Sequence, residues 1–539
     1  MKKIPQITLL LAVLFALAAT GCVKKRAYKA REVDYDAIVI GAGMGGLSAA
    51  THLQLGGMNT LLVEQHYKVG GCTTSFERGE FNFDAALHEM SMGGGPNGGL
   101  VMGVLRKAGL LDRVELIRVP QLGRSIFPSF EFVAPEGEDE YFAALAEKWP
   151  EEKEKIAEFR QLMRDLAEEV TELRDLYMAN PVKALLTKLT LPLRQRKLFK
   201  YHNKTIGEVL DSYFGDNEEI KAVVAQFWVY YGPPPSRQWS IIYLIAQYGY
   251  ILNGGWQIKG SSQALADAYR ERFEELGGTV MTDTMVTSID VEDNRVLGIE
   301  IDSGKKFSSS YVVSNADPYQ TFFKLVGKDR TPKQIVDKVK KLEPSNSFAG
   351  VYLGLDVTPE FWGVEEYEIF LNRSLDADAL YEASMAGRWD EGFMSMTLYG
   401  NLGDPFYAPE GKSVVTLHAY SDIDYWPEPG EEYTRKKDEM MDALISMAEE
   451  ILPGLRDHIE IQVGMTPRTI KNYTLNQAGT PYGLNFTVEQ QNRIEIPTGI
   501  DGLYMAGSWT WPSHSVGLAQ TSGYLASQMI IKESGRLED

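Results

Sequence analysis

Residues 36–73 leave this chain few folds to choose from. A short apolar run, Asp36-Ala37-Ile38-Val39-Ile40, leads into Gly41-Ala42-Gly43-Met44-Gly45-Gly46. A helical pattern follows, then Thr60-Leu61-Leu62-Val63 closing on Glu64, and shortly afterwards Val69-Gly70-Gly71-Cys72-Thr73. Gly41 permits a sharp turn, Gly43 lets backbone amides approach a pyrophosphate, and Gly46 lets a helix pack close to a sheet. The positive end of that helix faces the phosphate charge. Glu64 lies about twenty residues on, where a carboxylate accepts ribose hydroxyls. Strand, glycine turn, helix and acid occur in the right order, so the stretch reads as a dinucleotide-binding βαβ unit rather than a chance glycine turn. Gly41, Gly43, Met44, Gly45 and Gly46 are the expected phosphate cradle, with Glu64 on the ribose.

The chain has 539 residues, enough for two or more cores at about 100–200 residues per domain. Its formal charge of −20 argues against nucleic acid as a partner. With 44% hydrophobic residues and no long apolar run beyond the N-terminal one, the body reads as globular rather than as a multi-span membrane protein.

The N-terminus, residues 1–22, differs from the body. Lys2 and Lys3 precede an apolar run over residues 7–19, and Thr20-Gly21 stand before Cys22. A positive start, an apolar middle and small residues at the end describe an export signal. The small residues before Cys22 resemble the lipobox of bacterial lipoproteins, in which that cysteine carries the lipid, with the body facing the periplasm or cell exterior. The alternative is an uncleaved anchor holding the body in the cytoplasm, favoured by Lys24, Lys25, Arg26, Lys29 and Arg31. Both readings place the protein at a membrane. Only two cysteines exist, so lipidation of Cys22 leaves Cys72 alone, and no disulfide framework remains. Cys72 reads as a small residue beside the cofactor, with a nucleophilic thiol as the rival role. No metal ion is expected.

Further along, His88 and Glu89 are neighbours; on a strand they would face opposite sides, so that only one faces a given pocket. They read either as an acid–base pair or as a surface acid beside a hydrogen-bonded histidine. From Pro150, apolar residues at three- and four-residue spacing from Ile156 to Leu173 predict a packed helix. Residues 181–204 reverse the charge: Lys183, Lys188, Arg194, Arg196, Lys197, Lys200 and Lys204 interleave with leucines and aromatics without an acid. Such a stretch suits anionic lipid, or is a solvated basic face. The aromatic residues 227–232 and 239–250 suit a long apolar ligand, with Trp228 and Tyr231 as wall candidates. Residues 254–260 read as a turn and 262–277 as a helix with a glycine stop. Residues 286–291, 296–301 and 307–313 predict an antiparallel meander. The strands and helices of 330–490 suggest a second, α+β domain. Gly502 to Gly507 predict a buried strand, followed by Ser508, Trp509, Trp511 and His514 in a loop. A last helix near Gly517 and Leu518 presents its N-terminus to a developing anion.

Taken together, the glycine fingerprint, Glu64 with Gly70-Gly71, residues 256–265, Val313-Ser314-Asn315-Ala316-Asp317-Pro318 and the closing 502–523 segment resemble the phytoene desaturase, carotenoid isomerase and retinol saturase branch of the amine-oxidase-like flavoproteins. The resemblance implies an α/β fold: a Rossmann-like FAD-binding domain of the glutathione-reductase type with an inserted α+β substrate domain. The expected division is 35–130, 255–328 and 495–535 for FAD, and 131–254 and 329–494 for substrate. It further implies FAD with its adenine near Val286 and its flavin near Gly70, Gly71, Cys72, Thr73, Gly507, Gly517 and Leu518. Relatives commonly carry an acid where this chain has Ser508.

No second fingerprint offers a domain for NAD(P)H, so a quinone or oxygen is the expected electron acceptor, unless the reaction is redox-neutral. The expected function is an FAD oxidoreductase that desaturates, saturates or isomerises a carotenoid- or retinoid-like polyene at a membrane. Trp228, Tyr231, Trp509 and Trp511 would be its pocket walls, and His88, Glu89 and His514 its candidate proton carriers. A flavin amine oxidase is one alternative, and a flavin-free prenyl-lipid carrier is another.

Overall fold

The computed structural model describes residues 32–91, 99–179, 194–491, 493–512 and 515–536. Cys22, His514 and residues 181–193 of the basic stretch lie outside them. In chain order the strands are β1 (Tyr35–Ile40), β2 (Thr60–Val63), β3 (Ser75–Arg78), β4 (Phe81–Asp84), β5 (Met90–Ser91), β6 (Leu116–Arg118), β7 (Gly123–Ile126), β8 (Glu131–Ala134), β9 (Gly255–Ile258), β10 (Thr279–Met281), β11 (Val286–Glu292), β12 (Arg295–Ile301), β13 (Lys306–Ser314), β14 (Ser347–Leu355), β15 (Glu368–Asn372), β16 (Phe393–Leu398), β17 (Ser413–Ser421), β18 (Ile459–Met465) and β19 (Leu503–Met505). Four helices matter most to the site: α1 (Met44–Leu55), α2 (Lys153–Ala179), α3 (Ser240–Asn253) and α4 (Val516–Glu533).

The first sheet is parallel from β10 through β2, β1 and β13 to β19. The same β13 turns antiparallel through its N-terminal half to carry β12 and β11. One long strand therefore serves both the nucleotide-type sheet and the meander. Along α1 every residue from Met44 to Leu53 is buried. A helix with no solvent face is one packed on all sides, and α1 lies between the sheet and α4. Fully burying Leu47 and Leu53 contributes about 1.5–3 kcal/mol each.

The second sheet runs β18-β14-β17-β16-β15-β7-β8 and is antiparallel apart from the β15–β7 pair. Its β7 lies at Gly123–Ile126, so the chain first enters this sheet at Gly123. Strand alternation sorts its side chains. Val351, Leu353, Ile369, Leu371, Met394, Met396, Val415 and Leu417 pack with Met440 and Leu444 of the helix Glu431–Glu449. The opposite face carries Tyr352, Glu368, Phe370, His418 and Tyr420 towards the interior. Helices including α2 and α3 cover that side with an aromatic-rich core.

Residues 254–260, expected as a turn, contain β9, the central strand of a three-stranded sheet with β5 and β6. Its glycine-rich start hid the strand, yet Gln257 is fully buried. Gln257 Nε2 donates to Asp84 Oδ2 at 2.9 Å, Tyr407 Oη donates to the same oxygen at 2.7 Å, and the Ser262 N–H donates to Oδ1 at 2.9 Å. This network ties β4 and β9 to the second domain, and burial pushes the Asp84 carboxyl up to about 6 against those donors.

Helices α1 and α4 meet backbone to backbone. A Cβ on Gly523 would stand 2.0 Å from Gly45 O and 2.8 Å from Ala49 N. Gly523→Val is therefore expected to lose at least the upper part of the roughly 1–3 kcal/mol typical of overpacking. Thermal unfolding followed by circular dichroism checks this; a midpoint equal to the parent's would refute it.

Candidate active site

A continuous cavity of about 1000 Å³ joins the two domains. Gly41, Gly43, Met44, Gly45, Glu64 and Val286 line one part of it, and Gly70, Gly71, Cys72, Thr73, Gly507, Ser508, Gly517 and Leu518 another. His88, Glu89, Tyr230, Tyr231, Trp509 and Trp511 border the chamber beyond. From there the walls are Val170, Leu198, Trp239, Ile241, Ile242 and Ile245, contributed by the helical region. Gly46 does not line the cavity. It sits under the turn, where a Cβ would come 1.9 Å from Gly41 O.

Around the glycine turn the surfaces are bare backbone. A Cβ on Gly43 would lie 2.7 Å from Asn315 Nδ2, and one on Gly71 would lie 3.3 Å from the Gly43 Cα. Asn315 stands at the end of β13, and its Oδ1 is buried without a hydrogen-bond partner among the described residues. Glu64 Oε2 accepts the Ala42 N–H at 2.6 Å and Oε1 the His66 N–H at 2.9 Å. Burial raises this carboxyl while the two backbone donors hold it down. Each oxygen retains acceptor capacity for an incoming hydroxyl. The closing strand is tied to α4 by the Gly507 N–H, which donates to Ser522 Oγ at 2.7 Å. At the helix start Ser515 Oγ accepts the Leu518 N–H at 3.1 Å.

A second cluster borders the chamber. Residues 86–89 form an irregular loop rather than a strand, so both His88 and Glu89 reach the cavity, contrary to the expected alternation. Glu89 is buried, not a surface acid. Tyr367 Oη donates to the His88 carbonyl at 2.6 Å and holds the loop against the head of β15. There Glu368, only 1% exposed, accepts a hydrogen bond from the Tyr230 hydroxyl, and its Oε2 lies 3.2 Å from His88 Nε2. Burial pulls the His88 imidazole down, but the Glu368 carboxylate outweighs it and lifts the ring to about 9. Burial, reinforced by the charge of Glu368, pushes Glu89 well above the usual carboxylate range. His418, across the cluster, is pulled down to about 3 by burial and by His88.

Trp228 corrects the expected pocket wall. It is 2% exposed, packs on Tyr381, Phe393 and Tyr420, and does not border the cavity. Its density of aromatic neighbours marks core. Glu368, Tyr230 and Asn315 were not anticipated as site residues. Asn315 had a signal, because a strand pairing beside β1 must end at the same turn. Glu368 had none: one acid opposite Ile369 and Leu371 reads as a solvent-facing position. Burial pushes the Cys72 thiol up to about 11, so it stays protonated at neutral pH.

A sequence profile for flavin containing amine oxidoreductases matches residues 44–531. The chain belongs to that family. It is 26% identical to the chloroplastic prolycopene isomerase of Daucus carota, over 94% of this chain and 81% of that one. It is 25% identical to the all-trans-retinol 13,14-reductase of Danio rerio, over 88% of this chain and 82% of the other. Among solved structures, an oxidoreductase from Methanosarcina mazei superposes with a TM-score of 0.61 at 16% identity, covering 92% of this chain and 99% of that one. Cyclohexylamine oxidase from Brevibacterium oxydans superposes with a TM-score of 0.59 at 15% identity, covering 93% and 99%. At these identities the solved structures speak for the fold: a parallel Rossmann-like sheet with a mostly antiparallel second sheet. As a flavin oxidoreductase the chain needs a cofactor cradle, and the unfilled Asn315 Oδ1, the bare glycine surfaces and Glu64 fit one.

Glu64→Ala removes hydrogen bonds to a charged acceptor. It is expected to weaken flavin retention by about 1.5–3 kcal/mol, roughly tenfold to a hundredfold. Flavin absorbance after gel filtration measures this, and unchanged retention would overturn the ribose assignment. Cys72 is expected to resist iodoacetamide at pH 7.5 in the folded protein and to react once the chain is denatured, with its labelling in the folded state growing as pH rises towards 11. Peptide mapping reads both, and rapid labelling of the folded protein at pH 7.5 would contradict a thiol held protonated at the cavity wall.

Proposed function

We propose that this protein is an FAD-dependent oxidoreductase acting on a hydrophobic polyene or isoprenoid, of carotenoid or retinoid type, by desaturation, saturation or isomerisation. The observation that carries the reading is the continuity of the cavity: one chamber of about 1000 Å³ joins the glycine fingerprint to an apolar lining from the helical region. The relatives named prolycopene isomerase and all-trans-retinol 13,14-reductase support it across most of the chain.

In this reading Gly41 to Gly45 hold the pyrophosphate, Glu64 the ribose, and Gly70, Gly71, Ser508 and Leu518 the flavin end. Bound there, FAD supplies a two-electron centre next to the chamber. The protein's own residues position and shield. Tyr231, Trp509 and Trp511 line the chamber, and aromatic walls favour delocalised positive charge on a polyene. Ser508 replaces the acid common in relatives and serves as a neutral hydrogen-bond partner.

The reading extends to a membrane surface. The cavity reaches Leu198 in the helix Arg196–Tyr201, where Arg194, Arg196, Lys200 and Lys204 continue the basic stretch, although Lys197 is already 3.6 Å from Asp165. Among the described residues no helix is long and apolar enough to cross a membrane. We assign attachment to lipid on Cys22, with the body on the periplasmic or outer side; an N-terminal anchor with a cytoplasmic body is the alternative. A membrane quinone, or oxygen, is the acceptor we favour.

The test is to purify the protein without residues 1–21 and follow flavin bleaching and reoxidation with carotenoids, retinoids, unsaturated fatty acids and amines. A polyene response with bound FAD is expected. Turnover of amines alone would replace this reading with amine oxidation, and colourless protein that binds prenyl lipid would replace it with a carrier.

A further inference from the structure

We propose that Glu89 is the proton-transferring residue of the cavity, giving a proton to one carbon of a conjugated alkene and taking one back from that carbon. The proposal rests on the polyene reading above and assigns it a step. During the transfer the Glu89 O–H bond breaks, and its electron pair stays on the carboxylate. The π pair of the alkene forms the new C–H bond. The positive charge spreads over the remaining double bonds, and the former double bond, now single, rotates. Loss of a proton from the same carbon to the Glu89 carboxylate returns the pair to the double bond. The product is a geometric isomer, nothing is oxidised or reduced, and the carboxyl is restored.

The geometry singles Glu89 out among the polar groups present. It borders the cavity, whereas the carboxylate of Glu368 lies behind it. Neither Glu89 oxygen has a hydrogen-bond partner among the described residues, although both are buried. A buried acceptor left unpaired is costly, so these oxygens are free for a proton and a substrate. Their place is kept open by Gly255, where a Cβ would come within 2.8 Å of the carboxylate. His88 is committed elsewhere: Nε2 faces Glu368, and the Ala86 carbonyl holds the ring.

The surroundings also decide which acid carries the proton. Glu368 and Tyr367 face the cluster from the β15 side, Tyr230 from the turn before α3, His88 from the loop itself, His418 from β17, and Tyr482 within reach of Glu368. Glu368 takes the Tyr230 hydroxyl and the His88 imidazolium, making a neutral pair. Burial first, and then the charge of Glu368, favour the protonated form of Glu89 and outweigh the opposing pull of the His88 imidazolium. Glu368, His88 and Tyr230 are therefore positioning residues, and Glu89 the one that touches substrate. Proton transfer by a placed side chain typically contributes about 10²–10⁴-fold.

The experiment uses the full chain with its flavin, in detergent, and has two independent readouts. Infrared difference spectra in H2O and D2O detect a protonated carboxyl; mass spectrometry detects deuterium at a single alkene carbon of a polyene isomerised in D2O. At pH 7 the parent is expected to show both. Glu89→Gln, with flavin content and circular dichroism like the parent's, should lose the carboxyl band and the deuterium, and isomerise about 10²–10⁴-fold more slowly. Glu89→Asp, which shortens the reach, should keep a carboxyl band and lose the deuterium. In Glu368→Gln the imidazolium is freed to pair with Glu89, so the band should titrate away at lower pH. A band that survives Glu89→Gln, or product deuterated at the parent rate in that variant, overturns the proposal. A parent with the band and no polyene turnover overturns the polyene reading and the carbon acceptor with it. A parent without the band overturns the acid itself.

Discussion

The site depends on a place where backbones meet with no side chains between them. The turn after β1, the first turn of α1, the end of β13, the strand β19 and the helix α4 converge within contact distance. Gly45 lies against Gly507, where an added Cβ would be 2.4 Å from its nitrogen, and Gly523 lies against Gly45. This contact closes the cradle from both ends of the chain. It also explains why α1 is buried from Met44 to Leu53 and carries glycine, alanine and serine where it meets α4: a helix held between a sheet and another helix has little room on those faces.

Upon that frame the second domain sets an interior face of unusual character. Alternation along β14 to β17 sends aliphatic residues to the helix Glu431–Glu449 and leaves tyrosines, His418 and Glu368 inside. A desolvated acid is tolerated there because Tyr230 and His88 reach it. The same contact pins the loop that carries Glu89. Stability and chemistry are thus coupled in one cluster, while the fully bonded Asp84 network nearby serves only to hold β4, β9 and the second domain together.

Much of the fold was legible along the chain. Fingerprint, meander and terminal helix each follow from a local period or from glycines at fixed offsets, and they appear as β1 with α1, β11 to β13, and α4. The packed helix after Pro150 appears as α2 for the same reason. Elements read less well where local signals conflict. Gly254 and Gly255 made β9 look like a turn, because a strand whose central residue bonds Asp84 needs partners far away in sequence. Trp228 looked like a pocket wall because aromatic density does not distinguish a lined cavity from a filled one.

By itself the sequence determined the class of cofactor site and its position, since a phosphate cradle is local chemistry: glycines, a helix terminus and an acid within one βαβ unit. It also marked His88 and Glu89 as candidates. Which of them reaches the chamber, and what stands behind them, was decided only in three dimensions. Glu368 is distant in the chain and looks solvent-facing in its strand pattern. It becomes a buried partner because both faces of that sheet are covered, one by a helix and one by the aromatic helical region. The charge balance of the site arises from that second covering, a property of how layers stack rather than of any stretch of residues.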